Sequence, residues 1–301
     1  MLMQMSNQNR AYFFAAVAIF FWSTVASVFK LSLEHLAPIQ LVFYATLFSI
    51  TALFVVLVFQ RKLALIRQYP KGDISKLTLL AFLNPCLYYI VLFEAYDRLP
   101  AQEAMAINYS WVVMMVLLSI PILKQRISIK ALLGIMVSYV GVVVIATKGH
   151  VFALEFSSTL GVVLALSTTV IWALFWLFNT KKSNDIVVSL FLIFLLSLPF
   201  VSLAVFFGSE FEWPSYQGLL GGAYVGLFEM GITFVLWQSA LSLSTTVAKV
   251  TSLAFITPFL SLMLLYLVLD ETILPSTVIG IILIIGGLLM QKYFTRRDDI
   301  K

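Results

Sequence analysis

The sequence predicts an all-α integral membrane protein with ten transmembrane helices, built as two inverted five-helix repeats. Three observations carry this. Of 301 residues, 61% are hydrophobic and 11% charged, where soluble domains average about 45 to 50% apolar and about 25% charged; the mean hydropathy is +1.02. Apolar runs of about 20 residues, the length that crosses a bilayer core as a helix, recur along the whole chain. Five runs in the first half are echoed by five in the second, and because five is odd the halves enter the membrane from opposite sides.

The elements follow in order. A polar tail, 1–10, precedes the first span, 11–29, which contains Trp22, Ser23 and Ser27 and lacks a small-residue cleavage site, so it reads as a retained helix and not a signal peptide. The second span is 40–59. The third, 77–96, carries Asn84 and Tyr88 four apart, and Pro85 between them removes a backbone donor and frees a carbonyl. The fourth, 101–123, carries Asn108 and Trp111, and the fifth, 129–147, completes the first repeat, 11–147. After a connecting loop, 148–158, the second repeat, 159–294, opens with the sixth span, 159–179, bearing Thr168, Trp172, Trp176 and Asn179. The seventh is 186–207 and the eighth 216–241. The ninth, 246–268, has Pro258 as a kink or hinge, and the tenth is 276–294, followed by a tail at 295–301. The fifth and tenth spans hold glycines and few polar side chains, as scaffold helices would.

Charge orients these spans, because Lys and Arg in short loops stay cytoplasmic. Arg10, the cluster from Arg61 to Lys76, Lys124, Arg126, Lys130, Lys181, Lys182 and the basic residues after 291 fall on one side; only Lys30, Arg98 and Lys148 fall opposite, and Lys249 lies in or at the end of a span. Both termini are expected in the cytoplasm and the 148–158 loop in the periplasm of a bacterial inner membrane. The basic pI of 9.2 is thereby explained by topology, without nucleic acid as a partner. Glu94 and Glu103, flanking the outer turn "DRLP", read as interfacial, with guarding an entrance as the alternative.

Other chemistry is poorly supplied. Cys86 is the single cysteine, His35 and His150 have no metal-ligand spacing, and no phosphate-binding "GxxxxGK" loop occurs. No cofactor, metal site or catalytic constellation is expected, so the chain does not read as an enzyme.

The repeat is visible in residues. "LFEAYDRLPAQEA" (92–104) lies over "LWQSALSLSTTVA" (236–248), Trp22 over Trp172, and Ile127, Gly134 and Gly141 over Ile273, Gly280 and Gly287. This pattern, the run "GLFEMGITFVLWQSAL" and the segment "ITPFLSLMLLYLVLDETILPSTVIGIILIIGGLLMQ" resemble the drug/metabolite transporter superfamily, in particular its EamA-type members, over roughly 12–147 and 158–293. The resemblance implies a secondary carrier with a central cavity. Such a carrier moves a small organic metabolite, an amino acid or a drug-like solute, through the lipid bilayer by alternating access, with export expected and proton coupling or exchange as its energy source. Two features depart from the family pattern: the first half ends its fourth helix on Lys124, Gln125 and Arg126 where a Gly-Glu pair is common, and "NYSW" (108–111) resembles a segment of aromatic amino-acid exporters but is followed by Val112 where those tend to carry proline. A channel or lipid scramblase is the alternative reading.

Glu229 is the focus of the eighth span. At 3.6 residues per turn, Gly222, Gly226, Glu229 and Thr233 form one stripe, and small residues permit close approach of a helix or ligand. A charge near mid-membrane costs roughly 2.5 to 3.5 kcal/mol on insertion scales. Glu229 therefore reads as a proton-coupling or substrate-binding carboxylate, with structural glue between helices as the plainer reading. Lys249, in a stripe with Thr245 and Ser252, suits a carboxylate or phosphate of the substrate, or snorkels to the interface. The candidate binding or coupling residues are thus Glu229, Lys249, Asn84, Tyr88, Asn108, Trp111, Trp22, Ser27, Trp172, Trp176, Thr233 and Ser252.

Overall fold

The computed structural model describes residues 6–123, 129–152, 156–179, 185–208, 213–244, 250 and 252–298. Among these the chain is helical throughout, with no strand. The helices are α1 (Asn7–Leu33), α2 (Pro38–Phe59), α3 (Leu63–Arg67), α4 (Ile74–Ala81), α5 (Tyr88–Arg98), α6 (Ala101–Asn108), α7 (Trp111–Leu123), α8 (Ile129–Ala146) and α9 (Thr159–Asn179). They continue with α10 (Ile186–Gly208), α11 (Tyr216–Tyr224), α12 (Ile232–Leu243), α13 (Thr257–Leu269) and α14 (Pro275–Asp298). Two π-helical turns, Phe82–Leu87 and Val225–Gly231, join α4 to α5 and α11 to α12.

Seven described helical stretches are long and apolar enough to cross a membrane, and three shorter apolar helices, Leu132–Ala146, Thr257–Leu269 and Pro275–Gln291, accompany them. The outward faces are apolar. On α8, Leu132, Leu133, Met136, Val140 and Val143 are exposed while Ile135, Ser138, Val142 and Ile145 are buried. Water on such a face would be costly, and lipid is the solvent that suits it. The chain is a multi-pass membrane protein.

The chain folds into two compact units, each drawn from two stretches: Met1–Ile90 with Lys182–Leu264, and Val91–Lys181 with Leu265–Lys301. In the first, α2 packs on α10, α2 also lies along the wide turn Val225–Gly231, and α10 along Phe82–Leu87. Exchanging the second span with the seventh and the third with the eighth maps these contacts onto one another. α1 runs beside α11 and α12, where Ala11, Ala15, Ala18 and Ile19 bury against Trp237 and Ala240.

In the second unit α8 packs along α14. A Cβ added to Gly134 would lie 2.6 Å from the Gly287 carbonyl, and one added to Gly141 would lie 2.5 Å from that of Gly280. These glycines set the backbone separation. Pro258 is the second residue of α13, directly after the 3₁₀ turn Ser252–Ile256. It therefore sits where its missing N–H removes no helical bond, and marks the change of helix type in place of a kink inside an α-helix.

At the start of α10, Asp185 caps the helix: Oδ1 accepts from the backbone N–H groups of Val187 (3.0 Å) and Val188 (3.2 Å). Its Oδ2 pairs with Lys62 Nζ at 2.7 Å. Burial alone would raise this carboxyl, but the Lys62 hydrogen bond and the two N–H groups outweigh it and hold it below its ordinary 3.8. With a depressed folded value, the stabilisation is complete above that ordinary value and is lost as pH falls through the lowered one. Asp185→Ala is expected to cost about 1 to 2 kcal/mol near neutral pH and to remove this acid-dependent component below about pH 4, as read by thermal unfolding in detergent.

Candidate functional site

The wide turn in the eighth span changes the face that Glu229 occupies. Gly222 lies against Tyr44 and Gly226 against Ala45, Phe48 and Ser49, all on α2. The next glycine against α2 is Gly231, near Ala52 and Ser49, five positions on from Gly226. A π turn holds about one residue more than an α turn, so the Gly222, Gly226, Glu229, Thr233 stripe of an unbroken α-helix is replaced by a Gly222, Gly226, Gly231 stripe. Thr233 donates instead to the carbonyl of Phe228, five residues back. Ser49 Oγ on α2 donates to the Gly226 carbonyl at 2.6 Å, satisfying an acceptor within the wide turn.

Freed from the glycine stripe, Glu229 is 7% exposed and accepts from the Tyr89 hydroxyl at 3.0 Å through Oε1. Its Oε2 is buried and has no hydrogen-bond partner among the described residues. Tyr89 is fully buried and its ring meets that of Tyr88 edge to face at 4.8 Å.

The third span is interrupted in the same way. Asn84 has extended backbone (φ −149°, ψ 122°) within the wide turn Phe82–Leu87, as expected of a residue preceding proline. Its side chain is 2% exposed, and neither Nδ2 nor Oδ1 has a partner among the described residues. Counting 3.6 residues per turn from Asn84 selects Tyr88. The wide turn adds a residue, and the following tyrosine is the one whose hydroxyl reaches Glu229. Tyr89 was missed for that reason; Pro85 inside an apolar span was the available signal.

α1 supplies aromatic walls to the same unit. Trp22 packs on Trp237 (5.0 Å) and Phe234 (6.4 Å), and Phe21 stacks on Phe228 at 4.6 Å. Ser27 is buried, with no partner for Oγ among the described residues. Glu229, Asn84, Tyr88, Thr233, Trp22 and Ser27 thus all belong to the first unit.

Four of the remaining candidates form a second group in the other unit. Asn108 Nδ2 donates to Thr168 Oγ1 at 2.7 Å, Trp111 meets Trp172 edge to face at 6.2 Å, and Trp172 meets Trp176 at 5.9 Å. Trp176 Nε1 is buried and unpartnered among the described residues. Lys249 lies outside the described residues, as does the side chain of Ser252.

Glu103 is enclosed by the 148–158 connecting loop. It is 1% exposed, accepts Ser157 Oγ on both oxygens (2.9 and 2.7 Å), and lies 3.8 Å from Lys148 Nζ. The preceding Gln102 donates to the Thr272 carbonyl and accepts from Leu274 N and Thr277 Oγ1, while its own N–H donates to Glu271. A carboxylate in the first turn of α6 also complements the helix dipole. The second unit therefore knots its loops with polar side chains that the sequence spacing did not link. Glu94, by contrast, pairs with Arg98 at 2.9 Å on the surface.

Comparison with known proteins adds to this geometry. The model of the EamA-like transporter family matches residues 9–147 and again 159–291. An uncharacterized transporter of Bacillus subtilis, YvbV, is 25% identical over 95% of this chain and 92% of its own length. An uncharacterized transporter of Acidianus ambivalens is 30% identical over 56% of this chain, and one of Clostridium kluyveri 26% identical over 60%. The matches span 66% and 60% of those two relatives, less than two thirds of their length. A solved crystal structure aligns over 95% of this chain and 98% of its own, with a TM-score of 0.66 at 20% identity, a likeness of fold.

Proposed function

We infer, for a chain that belongs to the EamA-like transporter family, a secondary carrier that moves a small organic metabolite across the bacterial inner membrane by alternating access. In this reading ten spans form two inverted repeats, 11–147 and 159–294, with both termini cytoplasmic. The tandem family match supports it. So do the reciprocal contacts: Gly134 with Gly287 and Gly141 with Gly280 exchange under the alignment that places Gly134 on Gly280 and Gly141 on Gly287.

The observation that carries the carrier reading is Glu229, a carboxyl deep in an interrupted span with one oxygen held by Tyr89 and the other without a described partner. Polar groups at broken helices near mid-membrane are where transporters of this architecture meet their solutes and coupling ions. Glu229 accordingly binds solute or carries a coupling proton, and export is the direction expected of the family. One proton crossing about 100 mV supplies ~2.3 kcal/mol, enough for a roughly 50-fold gradient at ~1.4 kcal/mol per tenfold.

Counterflow in proteoliposomes tests this. A carrier gives saturable, stereoselective uptake that unlabelled solute inside accelerates. Flux that is linear in concentration and indifferent to trans solute would indicate a channel, and lipid flip without solute counterflow a scramblase.

A further inference from the structure

Resting on the carrier reading above, we propose that the polar group at the two wide turns of the first unit takes a monocationic solute: a protonated amine with a neutral hydrogen-bonding group beside it. The inventory of unsatisfied atoms points there. Within this unit two buried acceptors, Glu229 Oε2 and Asn84 Oδ1, one buried amide donor, Asn84 Nδ2, and the Ser27 hydroxyl, which serves as either, have no partner among the described residues, and Tyr89, five residues beyond Asn84, bonds Glu229. Buried polar atoms of this kind ordinarily have partners. An ammonium offers N–H groups to the carboxylate, and a neighbouring carbonyl or hydroxyl takes the Asn84 amide.

Charge narrows the class further. Among the described residues, the buried polar and charged side chains include Glu229 but no lysine or arginine. The described basic residues of this unit, Arg10, Lys30, Arg61, Lys62, Arg67, Lys71 and Lys76, are all half-buried or exposed. A zwitterion would bring a second carboxylate toward Glu229, and an anion would meet it with no buried basic side chain among the described residues to offset it.

The test uses the full-length protein in detergent with matched probes: leucinamide, leucine and N-acetylleucine, and the phenylalanine series, as monocation, zwitterion and anion. Ligands that bind the folded state raise the unfolding temperature by mass action, and titrations give the affinities. The amides are expected to bind at least tenfold more tightly than the parent amino acids, and the N-acetyl acids to give no shift. Glu229→Gln is expected to abolish this order and Glu229→Asp to preserve it. Absence of amide binding to the wild type, equal or tighter anion binding, or an order unaltered in Glu229→Gln would each overturn the proposal. Saturable counterflow of anions alone would overturn the solute class and leave the carrier standing. Amide binding without any counterflow would overturn the carrier and leave the binding site.

Discussion

Glu229→Gln is expected to lower counterflow about 100-fold without lowering the unfolding temperature. A hydrogen bond to a charged group contributes about 1.5 to 3 kcal/mol, and at ~1.4 kcal/mol per tenfold its loss from a bound solute corresponds to roughly one to two orders of magnitude. Glutamine keeps an oxygen for the Tyr89 hydroxyl now at 3.0 Å from Glu229, and removing a charge from mid-membrane relieves a cost of roughly 2.5 to 3.5 kcal/mol. Stability is therefore expected to hold or rise while transport falls. Tyr89→Phe should do the reverse in part: it leaves Glu229 without its described partner, costs about 1 to 3 kcal/mol of stability, and weakens transport less. Wild-type flux in Glu229→Gln, with a lowered unfolding temperature, would make this carboxyl a packing element and send attention to the Trp111, Trp172 and Trp176 group.

The other large effect is expected at the α8 and α14 contact. Gly141→Leu and Gly287→Leu should each destabilise the protein by about 1 to 3 kcal/mol or more, the range for overpacking. A new Cβ at Gly141 would meet the Gly280 carbonyl, and one at Gly287 would meet Ser138 Oγ together with the Gly134 carbonyl and the Ser138 N–H; the backbone groups cannot swing aside as a side-chain tip does. The helices would have to separate. Gly286→Ala is the control: nothing lies within 4 Å of its Cβ position, and replacing a mid-helix glycine with alanine is worth roughly 0.5 to 1 kcal/mol in favour of the helix. Thermal unfolding of the three variants decides it; equal melting temperatures would mean that these glycines do not set the helix spacing.

Some of this was legible in the chain itself. Apolar runs separated by charged turns specify membrane helices because lipid leaves the backbone no partner but itself, and that rule needs no knowledge of neighbours. Gly134, Gly141, Gly280 and Gly287 could be read as packing glycines from their seven-residue spacing alone, since a residue seven along returns to nearly the same face. Glu229 stood out because a carboxyl among apolar residues is costly wherever it points.

What the sequence could not supply was any quantity that depends on where a helix departs from 3.6 residues per turn, or on which loops meet. The wide turn at Val225–Gly231 moved the glycine stripe from Glu229 to Gly231, and that at Phe82–Leu87 made Tyr89 the partner of Glu229. Glu103 could be placed near an outer turn from the sequence, but not against Ser157 and Lys148, more than forty residues away in the chain, which enclose it. Composition and periodicity, being local and fixed by the solvent, determined that this chain crosses a membrane many times and where its costly carboxyl lies. The hydrogen bond that Glu229 makes, the burial of Glu103 and the division of the candidate residues between two units were decided only by tertiary structure, because each depends on side chains brought together from distant segments.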